Sequence, residues 1–94
     1  MSDSVTVIYW RDIPAQVVSG QGRGATRAML PDRFQDAIDR AATRAGLIGS
    51  DEYMAQWRKQ PIETDEVRIV ADQLDADYPD TVLETLVRNY GTTP

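Results

Sequence analysis

The chain has 94 residues, a net charge of −5 and an apolar fraction of 41%, which predicts one small globular domain over residues 1–94. It contains no cysteine and no histidine, which excludes disulfides, thiolate chemistry, and zinc sites or catalytic pairs built on those residues. The net charge is +1 over residues 1–48 and −6 over residues 49–94. Such an acidic balance argues against nucleic-acid binding, which depends on cationic contacts to phosphates. No cofactor is expected.

The run of residues 5–11 shows the clearest strand pattern in the chain. Its side chains alternate between one set, Val5, Val7 and Tyr9, and a second set, Thr6, Ile8 and Trp10. Both sets are largely apolar. We therefore expect either helices on both sides of the strand, or a face left for a partner or a second copy. A turn at Asp12-Ile13-Pro14 and an apolar segment at residues 15–19 then predict a β-hairpin.

A glycine-rich loop follows the hairpin, with Gly20, Gly22 and Gly24 in five residues. Its backbone amides, together with Arg23 and Arg27, are suited to a phosphate or carboxylate, whereas the plainer interpretation is a flexible, soluble connection. The loop lacks the Gly-Lys-Ser/Thr ending of a P-loop and the third glycine of a dinucleotide-binding fingerprint. The following residues form either a third short extended segment or the lead into a helix.

The strongest helix pattern covers residues 31–45. Its apolar stripe consists of Phe34, Ile38, Ala41 and Ala45. A second helix is predicted from the cap Ser50 through Trp57, ending at Pro61.

Two further helices are predicted at residues 65–76 and 81–90, although the start of the first of these is also compatible with a short strand. The predicted fold class is α+β. An N-terminal antiparallel hairpin or small sheet, within residues 4–30, is packed by three to four helices within residues 31–90. No apolar run approaches the roughly 20 residues of a membrane span, and no signal peptide is readable, so a cytoplasmic protein without membrane contact is expected.

Four aromatic residues either fill the core or contribute to a surface that binds a partner. They are Tyr9, Trp10, Tyr53 and Trp57. Trp10 is the better candidate for exposure because it lies on the side opposite Val5 and Val7, and Trp, Tyr and Arg are enriched in binding hot spots. The predicted partner surface consists of Trp10, Arg11, Asp12, Arg23, Arg27 and Arg58. Trp10→Ala is accordingly expected to harm association more than folding. The acidic second half lacks the spacing of a calcium-binding loop, so no metal site is predicted.

Several segments resemble one known family. They are residues 5–17, with the distinctive string Tyr9-Trp10-Arg11-Asp12-Ile13-Pro14-Ala15-Gln16, residues 30–34, 37–42 and 45–47, and Tyr53, Trp57 and Arg58. The chain resembles, over roughly residues 1–60, the small bacterial domains named virulence factor. The family occurs as stand-alone proteins and beside a domain similar to iron–sulfur scaffold proteins, and stand-alone members lie near one-carbon or corrinoid methyl-transfer genes. The resemblance implies an accessory subunit that binds another protein, and it carries no catalytic residue.

The predicted function is thus a non-enzymatic protein-interaction module that serves a larger cytoplasmic protein or complex. The alternative is a domain that binds a small anionic ligand or nucleotide through the loop from Gly20 to Gly24 with Arg23 and Arg27. Catalysis by the chain itself ranks last. A homodimer stays open as well, because a domain this small gains burial by self-association.

Overall fold

The computed structural model describes residues 5–19, 26–63 and 66–93. Its first element is an antiparallel hairpin of β1 (Val5–Trp10) and β2 (Ile13–Ser19). The β-branched residues that recur along both strands favour this pairing, because they pack well across neighbouring strands. The predicted N-terminal hairpin is confirmed.

Two further strands complete the sheet. At one edge, β3 (Thr26–Met29) pairs antiparallel with β2, and at the other edge β4 (Trp57–Ile62) pairs antiparallel with β1. The strand order is therefore β3-β2-β1-β4. The third extended segment, one of two alternatives from the sequence, is the one that forms.

The prediction of a second helix through Trp57 is wrong. Helix α2 (Asp51–Ala55) stops two residues earlier, and the chain then extends as β4. The pairing with β1 explains the difference, because it gives the outer backbone groups of β1 hydrogen-bond partners that a helix would leave unpaired. Tertiary pairing thus overrides a local helix pattern, and the part of the chain predicted to be helical contains one strand.

Four helices pack with the sheet in the described residues. They are α1 (Asp32–Arg44), α2, α3 (Val67–Asp77) and α4 (Asp80–Arg88). Helix α1 lies against β2 and α4, and α3 lies against β2 and β3. The α+β class is confirmed. A membrane-spanning helix, which needs both length and apolar character, is not found among the residues described.

One face of the sheet forms the core. Val5, Val7 and Val17 are each 0% exposed, and they belong to the same apolar cluster as Phe34 and Ile38 of α1. Full burial of such a side chain contributes about 1.5–3 kcal/mol each. The hydrophobic stripe of α1 thus covers the side of β1 that carries Val5 and Val7, as its spacing predicts.

Trp10, the better candidate for exposure among the four aromatic residues, is instead 0% exposed, so the alternative interpretation as a core residue holds. The register between β1 and β2 shifts between Ile8 and Tyr9, which leaves Ala15 without an opposite residue. A bulge of this kind bends the strand that carries it, here β2, and increases the local twist. Beyond it, the Trp10 Nε1–H donates a hydrogen bond to the Tyr53 carbonyl at 2.9 Å, and the two rings are 5.7 Å apart. Trp10 is a core residue.

Candidate protein-binding surface

Three of the predicted site residues meet at the β1–β2 turn. The Arg58 Nε–H donates to the Arg11 carbonyl at 3.0 Å, and its Nη2 donates to Asp12 Oδ1 at 3.3 Å. The Arg58 guanidinium also lies 4.4 Å from the centre of the Tyr9 ring, within range of a cation–π interaction. Arg11 in turn donates from Nη1 to the Tyr90 carbonyl at 2.8 Å. This cluster therefore ties the turn to β4 and to the C-terminal residues.

Asp12 anchors the C-terminal residues directly. Its Oδ2 accepts hydrogen bonds from the Thr93 backbone N–H at 2.6 Å and from the Thr93 hydroxyl at 3.0 Å. Burial alone raises the pKa of Asp12, but these hydrogen bonds and the Arg58 charge outweigh burial and hold the pKa below its ordinary value. Both carboxylate oxygens of Asp12 are thus occupied within the chain, which suits an internal anchor better than a binding residue.

A cleft of about 520 Å³ opens beside this anchor, with Asp12, Tyr78 and Leu86 in its wall. Burial raises the pKa of the Tyr78 phenol, and the neighbouring Tyr9, whose own pKa is raised by burial, adds to this effect. At neutral pH both phenols are therefore protonated. Within the ranges that the structure describes, no group of three acidic side chains is placed to hold a metal ion.

The other side of the sheet presents a second surface, which we call the open face. Its eight side chains lie on the face opposite Val5, Val7 and Val17, two from each strand. They are Thr6 and Ile8 of β1, Gln16 and Val18 of β2, Arg27 and Met29 of β3, and Lys59 and Pro61 of β4. The four central side chains are half-exposed and the four outer ones are exposed. Among the described residues, neither the core cluster nor the side chains packed against it include any of the eight.

The chemistry of the open face is uneven. Ile8 and Val18 form an apolar centre, and Met29 beside them is 67% exposed. None of the eight side chains is acidic, although the chain has a net charge of −5. Between Ile8 and Met29 lies Gln16, whose Oε1 is buried and accepts no hydrogen bond in the part of the chain that the structure describes. The open face thus combines two apolar and two polar side chains in the middle with one cation at each of two edges.

The five predicted site residues that the structure describes do not form one surface. Trp10 is in the core, while Arg11, Asp12 and Arg58 bond mainly to one another and to the C-terminal residues. Arg27 lies on β3, at the sheet edge opposite β4. Arg23 and the glycine-rich loop lie outside the described residues, so the predicted anion site there stays a prediction.

Several residues of the open face are absent from the sequence prediction. Residues alternate along β2, with Val17 on one side of the sheet and Gln16 and Val18 on the other. This alternation predicts which β2 residues lie at the centre of the open face. Lys59 and Pro61 are not accessible to the same reasoning, because the pattern around them favours a helix.

Comparison with known proteins identifies a family. A family model described as virulence factor matches residues 8–87. No curated protein and no solved structure matches the chain at a significant level. The matched range extends beyond the resemblance read from the sequence and reaches into α4, so it includes most of the sheet, of the core and of the open face, from Ile8 onward. The chain belongs to the virulence factor family.

Proposed function

We propose that the chain is a non-enzymatic protein-interaction module that binds a partner protein through the open face. One observation carries the proposal. The sheet buries one face under its own helices, and its other face keeps Ile8, Val18 and Met29 at least partly in water. Apolar patches bordered by polar side chains mark interaction sites on soluble proteins. A partner that covers the open face removes this apolar surface from water.

The size of the open face limits the strength of the contact. The four strands, each about 4.8 Å wide, span about 19 Å across the sheet. Along each strand, the two side chains of the open face take up about 6.8 Å each, or about 14 Å together, so the area is about 260 Å². One partner in a stable complex buries about 800 Å². The open face is therefore the centre of the contact, and the surrounding edges of β3 and β4 provide its rim.

The partner in this proposal is a larger protein, to which the chain is an accessory. Iron–sulfur and one-carbon proteins are the settings that the family resemblance suggests for it. The alternative function, binding of an anionic ligand, depends on Arg23 and Arg27. The structure describes only Arg27 of these two, and Arg27 lies on the open face.

Two methionines provide a matched test. Met29 on the open face is 67% exposed, and Met54 on α2 is 66% exposed. We expect immobilised wild-type protein and Met54→Glu to capture the same partner from a lysate of the protein's own cells, and Met29→Glu to lose it. Circular dichroism and the melting temperature establish that both variants are folded. Equal capture by all three proteins, or equal loss in both variants, would contradict the open face as the binding surface.

A further inference from the structure

The charges of the open face specify the chemistry of its partner, an inference that rests on the proposed function. Arg27 and Lys59 are its only charged side chains. Other arginines of the chain, such as Arg33, Arg40 and Arg58, are held in ion pairs. Within the described residues Arg27 and Lys59 make none, so both cations are available to carboxylates of a partner.

The two cations stand on opposite sides of the sheet's midline. Arg27 is on β3 and Lys59 on β4, each about 7 Å from the line between β1 and β2, since strands lie about 4.8 Å apart. They belong to different cross-strand rows, because Arg27 is opposite Val18 and Lys59 is opposite Ile8. This difference displaces them by about 7 Å along the strands, at about 3.4 Å per residue.

These dimensions fit an α-helix that lies along β1 and β2. A helix with its side chains has a radius of about 5–6 Å, so it covers the central strands and leaves Arg27 and Lys59 at its two borders. The displacement of about 7 Å corresponds to about four to five helical residues at 1.5 Å each. A helix is also the element that covers the other face of the sheet, and layered packing of helix on sheet is a general architecture.

Three other occupants fit less well, and the same charges argue against the first and the last of them. A face-to-face homodimer would bring four cations together with no acidic residue between them, and like charges across an interface are unfavourable. A head-to-tail contact between the open face and the acidic helices of a second copy would be heterologous, and it would continue from copy to copy into a ring or a filament. Nucleic acid is disfavoured because two cations neutralise only two phosphates on a chain of net charge −5.

We propose that the open face binds an amphipathic helix of a partner protein, bordered by carboxylates on both sides of its apolar stripe. The stripe, with apolar residues at positions i, i+3 or i+4, and i+7, packs on Ile8 and Val18, and Met29 contacts it from the border at β3. An Asp or Glu at one border pairs with Arg27. An Asp or Glu at the other border, about one turn away along the helix, pairs with Lys59.

A stapled helical peptide serves as the probe. It carries leucines at the stripe positions and one Glu at each border, and two matched peptides replace both Glu residues by Gln or by Lys. Fluorescence anisotropy at low salt is expected to show the strongest binding for the Glu peptide. A surface ion pair contributes about 0.2–1 kcal/mol, so each pair accounts for up to about a fivefold difference in Kd. The protein variant Arg27→Glu/Lys59→Glu is expected to reverse the order of the Glu and Lys peptides.

The outcomes separate this inference from the proposed function. Equal binding of the Glu and Lys peptides, no peptide binding at all, or no reversal in the double variant would overturn the acidic helix. If the partner captured from the lysate is then still lost by Met29→Glu, the open face remains the binding surface and only its partner chemistry is wrong. Light scattering that shows a dimer abolished by Met29→Glu would instead identify a second copy as the occupant, and would also overturn the inference.

Discussion

Replacing Trp10 by alanine tests where the centre of the fold lies. The Trp10 side chain is 0% exposed, its Nε1–H donates to the Tyr53 carbonyl at 2.9 Å, and its ring lies 5.7 Å from that of Tyr53. Truncation removes the largest fully buried side chain of the core and leaves the Tyr53 carbonyl without its donor. We therefore expect Trp10→Ala to harm folding itself, in contrast to the expectation from the alternating pattern alone.

The magnitude of this loss is large for so small a domain. Replacing a buried tryptophan by alanine costs about 3–5 kcal/mol. At about 0.05–0.15 kcal/mol per residue, the whole chain has a free energy of unfolding of roughly 5–14 kcal/mol. Trp10→Ala is thus expected to remove about a fifth or more of the total stability. Trp10→Phe keeps most of the ring and loses the hydrogen bond, so its cost is expected to be nearer 1–3 kcal/mol.

Urea unfolding followed by far-ultraviolet circular dichroism measures both variants, because this signal does not depend on tryptophan fluorescence. Trp57→Ala is a suitable control, since Trp57 is only half-buried and is expected to cost less than Trp10→Ala. A loss below about 1 kcal/mol for Trp10→Ala, with an unchanged dependence on urea, would refute the placement of Trp10 in the core.

Three further variants test separate features of the fold. Gly91→Ala places a Cβ 2.8 Å from Trp10 Cζ3 at a residue with φ of +91°, so we expect a loss of about 1–3 kcal/mol in a thermal melt; an unchanged melting temperature would contradict this contact. Gln16→Met removes a buried acceptor that has no donor in the described structure, so a gain of about 1 kcal/mol is expected; a lower melting temperature would show that Gln16 Oε1 is satisfied. Asp12 has a pKa below its unfolded value, so its stabilising effect is complete above about pH 4 and is lost as the pH falls through the folded pKa. The stability difference between wild type and Asp12→Asn is therefore expected to shrink as the pH falls below about 4; a constant difference would contradict the anchoring role.

Much of the fold follows from local patterns. The alternation along β1 places Val5 and Val7 on one side and Ile8 on the other, and the structure has the same arrangement. The apolar spacing along α1 identifies the helix that packs on the sheet. These features depend on contacts close in sequence or on a fixed period of side chains, which the sequence displays directly.

Two other features depend on pairing between distant segments. Trp57 and the residues after it carry no alternation and include Pro61, yet they form β4 because β1 has an unpaired edge. Trp10 stays in register with Trp57 of β4, and it is buried because Tyr53 and Gly91, which are more than 40 residues away in sequence, pack against it. The pattern of β1 itself carries no signature of these contacts. Of the second set of β1 side chains, Ile8 therefore lies on the proposed binding surface, whereas Trp10 lies in the core.

The central claim is that a partner contacts the open face, and the methyl groups of methionine report on it directly. Met29 and Met54 are almost equally exposed, at 67% and 66%, but only Met29 belongs to the open face. With ¹³C-labelled methionine methyl groups, titration with the partner captured by the wild-type protein is expected to shift the Met29 signal and leave that of Met54 unchanged. A shift of Met54 with no change at Met29 would contradict the claim.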